Sequence, residues 1–336
     1  MLHSIRSSFA LLPAIVFLLL PGTAAWSAPL DPTHVAADAK WVIHVDYEAL
    51  GQSELLKTLR DEKPQVTQAI QGWMKKRYGI NPPKDLKSAT MFSRDYKQYT
   101  GTVLIQADYD RDKVETMLRK SREHRTTEHD CEMLHTILLE EQPKGSPSGD
   151  KEMTVVLLDD DTILLASSVE NAKTTLKLLS GNSPSLADAK SPLLTEKAQS
   201  AWIYGAAIDL KQLKDHPVAM PVLAQHQRIT WAFGKQDDGK LYEQAKFVAR
   251  DESVAEQMHQ VLQGLIAYET LWADGRSALT KMMKDVELTR DGTTVGFHWQ
   301  GKSEAVAEAV EVGLERAKSW MKLLKDDRKS ETKRSS

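Results

Sequence analysis

Cysteine is nearly missing from this sequence, which has one, Cys131, among 336 residues, so no disulfide bond can form within the chain. Common catalytic signatures are missing too, because the chain has no GxSxG, HExxH, GxGxxG or P-loop pattern. Beyond the N-terminal apolar run, no stretch is long and apolar enough to cross a membrane. Stability must therefore come from core packing, and the sequence gives no reason to expect a cofactor.

Neither positive nor negative charge is concentrated in one part of the sequence. The formal net charge is −3, and acidic and basic residues are interspersed. Proteins that bind nucleic acid present a basic face, so we expect no nucleic-acid partner. Residues 325–336 contain no apolar side chain, which predicts a disordered polar tail.

The N-terminus has the pattern of a secretory signal peptide. Arg6 precedes the apolar run Phe9–Leu20, which is shorter than the ~20 residues that span a bilayer. We assign residues 1–28 to the signal peptide and predict a secreted or periplasmic protein without a transmembrane span after cleavage. The alternative is that the run is retained as an N-terminal anchor.

Small residues after the run allow two cleavage points. Both Thr23-x-Ala25 and Ala25-x-Ser27 satisfy the small-residue rule. A cut after Ala28 would instead place the bulky Trp26 three residues before the cut. The sequence leaves the choice between the first two open.

A strand-like run, a capping residue and an amphipathic helix recur along the chain, and the capping residues are Asp110, Ser168, Asp251 and Ser303. The four segments are Gly101–Lys120, Asp161–Gly181, Leu241–Gly264 and Thr293–Leu314. Two strands led by tryptophan start at Lys40 and Ala201, and each is followed by an acid, Asp46 or Asp209, before a helix-like stretch. Each opens a corresponding part of the chain. We therefore predict a duplication, with halves at 29–185 and 198–324 joined by a linker at 186–197.

Several strand pairs have the pattern of hairpins. Residues 154–167 carry apolar runs on both sides of three aspartates, and residues 233–248 have a polar turn between two strands. Asp291–Gly292 is the residue pair that a type I′ turn prefers. Hairpins followed by helices predict an α+β fold, a duplicated module of largely antiparallel sheet with helices packed on one face.

Three stretches carry a resemblance to a protein family. They are YGINPPKDLKSATMF at 78–92, VIHVDYEALGQSELL at 42–56 and DDDTILLASSVENAKTTLKLLSG at 159–181. Together they resemble secreted or periplasmic bacterial proteins of uncharacterised function that are abundant in planctomycetes. The resemblance implies an exported, duplicated α+β protein, and it transfers no active-site residue.

The stretch EHDCEMLH, residues 128–135, points most directly to chemistry. Imidazole and thiolate groups bind zinc and copper, and His129 and Cys131 have the spacing of neighbours on one strand face. His135 shares that face but lies two steps further along, so one ion reaches it only if the strand bends. His124 joins such a metal site only if its loop folds back.

A strand over residues 131–140 accounts for the same stretch without a metal. Cys131 is then a small buried side chain, and His135 is a partly buried residue with one hydrogen bond. A third interpretation makes Cys131 a nucleophile with His129 as its base, although no helix N-terminus or cation is near to activate the thiol. Similarly, Asp159–Asp161 is either a calcium cluster or the hairpin turn that this position needs.

These features predict an exported, non-catalytic binding or structural protein of the periplasm or cell envelope. The expected partner is a protein or a small hydrophobic ligand held in a cleft between the two halves. The alternative function is a metal-dependent enzyme that uses His129, Cys131 and, with a bend, His135.

Overall fold

A computed structural model describes residues 28–62, 85–97, 100–138, 152–215, 223–272 and 278–310. The signal peptide up to residue 27, the polar tail and residues 78–84 of the connector that carries the family resemblance lie outside these ranges.

In the described ranges, twelve strands form one antiparallel sheet with the order β11-β12-β10-β9-β8-β1-β2-β3-β7-β6-β5-β4. The strands are β1 Trp41–Asp46, β2 Leu86–Ser93, β3 Thr102–Ala107, β4 Arg125–His129, β5 Glu132–Leu138, β6 Glu152–Leu157, β7 Thr162–Ala166, β8 Ile203–Ile208, β9 His226–Lys235, β10 Leu241–Ala249, β11 Glu287–Asp291 and β12 Thr294–Gly301. The α+β class and the antiparallel sheet are therefore confirmed, and so are the three predicted hairpins, β6–β7, β9–β10 and β11–β12.

Most of the helices follow a strand, and most begin at a side chain that caps their free N–H groups. They are α1 Tyr47–Gly51, α2 Glu54–Glu62, α3 Arg111–Arg119, α4 Val169–Leu179, α5 Glu252–Trp272, α6 Ala278–Lys284 and α7 over residues 303–310. Asp110 accepts a hydrogen bond from the Lys113 amide at 3.0 Å, and Ser168 accepts one from Asn171 at 3.2 Å. These are two of the caps that the sequence predicts.

The two halves of the chain repeat one strand order. Outward from the centre, the first half runs β1-β2-β3-β7-β6 and the second runs β8-β9-β10-β12-β11. In both, a helix after the third strand precedes a hairpin whose last strand pairs back with the third. The first half also contains the β4–β5 hairpin at its outer edge. The halves meet where β1 pairs antiparallel with β8, as Ile43 opposite Gly205 illustrates.

Side chains on the two faces of the sheet enter different cores. On face A, which we define by Val42, Phe92 and Leu164, the sheet packs against α4. On face B, defined by Val45 and Ile163, it packs against the other helices. The prediction of helices on one face thus holds for most of them, and α4 is the exception. A helix can pack on face A as well as on face B because the residues of β7 that point to each face are apolar.

The linker predicted at 186–197 is part of the face A core. Leu186 and Leu193 are fully buried there. The segment around Val35 pairs with this connection, because the Leu186 amide donates a 2.8 Å hydrogen bond to the Val35 carbonyl. Tyr204 also donates a 2.6 Å hydrogen bond from its hydroxyl to the Leu193 carbonyl. The connection is therefore packed and hydrogen-bonded to the sheet.

Candidate functional site

The EHDCEMLH stretch forms the end of β4, the turn and the start of β5 in the β4–β5 hairpin. His129 pairs with Glu132, and the two residues between them both have positive φ, 49° for Asp130 and 67° for Cys131. These are the backbone conformations of a two-residue type I′ turn. The expectation of a buried Cys131 on a strand face is wrong, because Cys131 is an exposed free cysteine at the tip.

His135 is buried on face B, with 4% of its surface exposed. Its partner is His124, whose Nε2 lies 3.0 Å from His135 Nδ1 in a hydrogen bond. The two rings are stacked, with centroids 5.3 Å apart and planes at 23°. Glu123 has a φ of 52°, which helps the chain after α3 to turn back toward the sheet. The loop of His124 therefore does fold back, and it brings His124 into contact with His135.

Burial lowers the pKa of His135, and the neighbouring His124, Arg119 and Arg111 lower it further, whereas Glu115 raises it. The imidazole is therefore neutral at neutral pH. A neutral imidazole carries one N–H donor and one acceptor nitrogen, so one ring donates to the other. The two imidazole rings are hydrogen-bonded and stacked, and the pair lies beneath α3.

The structure does not assemble the predicted metal ligands. His135 lies opposite Thr126, three pairs along the hairpin from His129, and Cys131 is exposed beyond both. In the described ranges, no group of three or more His, Cys, Asp or Glu side chains is arranged to hold a metal ion. His129 Nε2 instead lies 3.3 Å from Asp130 Oδ2, its chain neighbour.

The aspartates at 159–161 form the β6–β7 turn. Asp161 Oδ2 lies 3.3 Å from Lys87 Nζ, and the Asp159 carbonyl accepts a 2.9 Å hydrogen bond from the Tyr109 hydroxyl. These contacts tie the turn to β2 and to the start of α3, which is a structural role.

A second polar cluster, not recognised from the sequence, is buried on face A at the end of β1. His44 Nδ1 lies 2.9 Å from Thr90 Oγ1, and His44 Nε2 lies 2.9 Å from the Ala28 carbonyl oxygen. Asp46 is 1% exposed. Its Oδ1 accepts a 2.8 Å hydrogen bond from the Ala49 amide, and its Oδ2 accepts a 3.0 Å hydrogen bond from the Ala28 nitrogen.

Burial lowers the pKa of His44, and the Ala28 carbonyl and the charge of Asp46 oppose that shift. The sequence pattern of a strand followed by an acid correctly predicts Asp46 at the start of a helix. The same pattern does not indicate that His44 is buried, because a histidine at a strand position looks the same in a sequence whether it lies in a core or on a surface.

A shallow pocket of about 380 Å³ lies where the first half, the connection and the second half meet. It is lined by residues 37–40, Arg94, residues 189–192 and Ile208. Three of its charged side chains are engaged in ion pairs, since Arg94 Nε is 2.8 Å from Asp38 and Lys40 Nζ is 3.3 Å from Asp209. The position matches the predicted cleft between halves, and the lining combines apolar side chains, such as Pro192 and Ile208, with charged ones.

An apolar stripe on α5 is the most exposed hydrophobic surface of the described chain. It consists of Val261, Leu265, Tyr268 and Leu271, which are 45%, 40%, 51% and 82% exposed. In the described ranges, no helix is both long and apolar enough to cross a membrane.

No protein-family model and no curated protein matches this chain. One solved structure, titled "Structure of crystal form I of TP0453", has a TM-score of 0.42 and 9% sequence identity, and the match covers 85% of this chain and 98% of that one. A TM-score of this size does not establish a shared fold or a shared function.

The two buried histidines predict a loss of stability in mild acid. Both His44 and His135 have folded-state pKa values below the ~6.5 of an exposed histidine, so the unfolded chain binds protons first. Their contribution is complete above about pH 6.5 and is lost as pH falls below it, by up to ~1.4 kcal/mol per pH unit for each histidine. Urea unfolding at pH 7.5 and 5.5 measures the difference. It should shrink in His135→Gln, and an unchanged difference would contradict the assignment.

Proposed function

We propose that this protein is an exported, non-catalytic binding protein of the periplasm or cell envelope, and that it binds an apolar helix of a partner protein along α5. The single observation that carries the proposal is the exposed apolar stripe Val261, Leu265, Tyr268 and Leu271. The signal-peptide pattern supports the location, and the resemblance to secreted or periplasmic proteins agrees with it.

The geometry of the stripe suits a helical partner. Its residues recur at intervals of three and four, so they fall on one side of α5 within about 120° of the circumference. Earlier on α5, Val254 lies within the same arc and Met258 lies beside it, and both are buried against the sheet. The stripe therefore continues the buried side of α5 toward the C-terminal end of the helix. With 21 residues, α5 is about 31 Å long, which is enough for several turns of a second helix.

The charge of α5 argues for a protein and against an anionic lipid surface. Helices that lie on membranes carry lysine and arginine on their polar side, and α5 has neither. The residues near the stripe on the N-terminal half of α5 include Gln257 and Gln260, which are uncharged. Gly264 lies within the stripe, and nothing is within 4 Å of a Cβ placed there, so a second backbone can approach closely.

Site-specific photo-crosslinking tests this proposal. A benzophenone amino acid at Leu265 should give a discrete adduct in cells, whereas the same group at Gln263, on the opposite side of α5, should not. The crosslinked peptide, identified by mass spectrometry, should be an apolar helical segment of another protein. Equal labelling at both sites, a lipid adduct, or an adduct with α5 of a second copy would contradict the proposal.

Binding of the synthetic peptide then completes the test. Because a buried leucine contributes about 1.5–3 kcal/mol, Leu265→Lys should weaken the Kd at least ~tenfold. Gln263→Lys should leave the Kd unchanged, and equal losses would contradict a site along the stripe.

A further inference from the structure

The pocket at the junction of the two halves is built on a hydrogen-bonded backbone. The Ile208 amide donates a 2.8 Å hydrogen bond to the Lys40 carbonyl, and the Tyr96 hydroxyl donates to the Ile208 carbonyl at 2.6 Å. Near the connection, the Ala37 amide donates to the Pro184 carbonyl at 3.1 Å. These bonds hold the lining in place before any ligand binds, and such preorganisation favours binding.

Half of the pocket lining is apolar. Five of its ten residues are alanine, proline or isoleucine, and Pro192 and Ile208 are the largest of them. The pocket volume of about 380 Å³ is near the lower end of the ~300–1,000 Å³ that is typical of ligand sites. Burial of apolar ligand surface against this lining is favourable, and the volume limits the ligand to a short apolar chain.

The charged part of the lining favours an anion. It consists of three basic side chains and one acidic side chain, namely Lys40, Arg94, Lys190 and Asp38. Asp38 pairs with Arg94, and Lys40 pairs with Asp209, which is not part of the lining. Within the described chain, the ammonium group of Lys190 has no ion pair or hydrogen bond. The pocket therefore carries one positive charge that neighbouring acids do not neutralise.

Arg94 has two further donor nitrogens that an anion can use. Its contact with Asp38 is one 2.8 Å hydrogen bond from Nε to Oδ1. In the part of the chain that the structure describes, neither terminal nitrogen of this guanidinium group has a hydrogen bond. A guanidinium group binds a carboxylate through two parallel N–H···O bonds. Because the Asp38 side chain is 69% exposed, its ion pair with Arg94 is weak and a ligand can displace it.

We propose that this pocket binds a small organic anion, a monocarboxylate with a short aliphatic chain. The carboxylate contacts Lys190 and the terminal nitrogens of Arg94, and the aliphatic chain lies against Pro192 and Ile208. One carboxylate matches the single positive charge that is left unneutralised, whereas a phosphate dianion exceeds it. This site is separate from the exposed stripe on α5, and the proposal does not depend on a partner protein at that stripe.

Calorimetric titration of the full chain with sodium hexanoate is the first test. Hexanoate has the carboxylate and the short apolar chain, and we expect saturable binding of one ligand per chain. Acetate, which lacks most of the apolar chain, should bind at least ~tenfold more weakly, because each buried methylene group contributes to affinity. Hexylamine has the opposite charge and should not bind. Equal affinities for hexanoate and acetate, or binding of hexylamine, would overturn the proposal.

Lys190→Ala tests the role of the free charge. Lys190 is exposed, so its replacement should leave the fold intact and weaken the hexanoate Kd about fivefold or more, because a hydrogen bond to a charged group is lost. The matched control is Lys177→Ala, an exposed lysine on α4 outside the lining, which should leave the Kd unchanged. Equal effects of the two substitutions would contradict a site at Lys190.

Asp38→Asn tests the competition for Arg94. It removes the carboxylate that pairs with Arg94, so the hexanoate Kd should become about two- to fivefold tighter. Asp237→Asn, at an exposed acid in the β9–β10 turn, changes the net charge equally and should leave the Kd unchanged. Unchanged or weaker binding in Asp38→Asn, or equal tightening in both variants, would overturn the contact between the ligand and Arg94.

Two further ligands identify the source of the anion. A tripeptide with a C-terminal leucine presents the same carboxylate and a similar apolar group on a peptide backbone, and inorganic phosphate presents charge without an apolar chain. We expect hexanoate to bind more tightly than either. Tighter binding of the tripeptide would assign the pocket to the C-terminus of a peptide, and tighter binding of phosphate would assign it to a phosphate group. Either result would overturn the proposal.

Discussion

Replacing Phe92 with alanine will lower the free energy of unfolding by about 3–5 kcal/mol, because the ring is 1% exposed and its removal leaves a cavity in the face A core. The matched control is Met91→Ala, one residue earlier and therefore on face B, where the side chain is only partly buried. Met91→Ala should cost less than half as much.

Urea unfolding followed by tryptophan fluorescence measures both losses. The chain has eight tryptophans, and the midpoint should fall with little change in the m-value. Equal losses at Phe92 and Met91 would contradict the assignment of the two faces to cores of different depth.

Replacing Leu193 with alanine is the second large effect, with an expected loss of about 3–5 kcal/mol. Leu193 lies in the connection between the halves and is fully buried, and its carbonyl accepts the hydrogen bond from the Tyr204 hydroxyl. The control is Lys190→Ala in the same connection, where the side chain is exposed and the change should stay within ~0.5 kcal/mol.

Calorimetry of the two variants separates a packed connection from a loose one. If residues 186–197 were a flexible linker, Leu193→Ala would leave the Tm unchanged. A packed connection instead predicts that the Tm of the whole transition falls, because the connection packs on the sheet strands of both halves.

Local patterns in the sequence predict much of this fold. The hairpins could be predicted because each turn stands between strand-like runs, and the helix starts could be predicted from Asp110, Ser168 and Asp251, whose side chains do cap. The repeated strand and helix segments indicate two like halves. The order β3-β7-β6 could not be predicted, because it depends on pairing between strands that are distant in sequence.

The candidate site was less predictable, for physical reasons that differ from residue to residue. The β4–β5 turn could not be recognised in the sequence because Cys131 occupies a left-handed backbone position where glycine is the usual residue. The contact between His124 and His135 depends on how the chain turns after α3. The Ala28–Asp46 contact depends on a segment that crosses face A, and no local spacing reports such a crossing.

The central pairing of β1 with β8 has a consequence for biosynthesis. Within its own half, each of these strands is an edge, and an open edge of unpaired N–H and C=O groups readily templates association with other chains. A nascent chain exposes the edge of β1 until Ile203–Ile208 has been made, so we expect the first half alone to associate with other chains. Each half covers the open strand edge of the other, and a chain truncated before Ile203 should therefore aggregate.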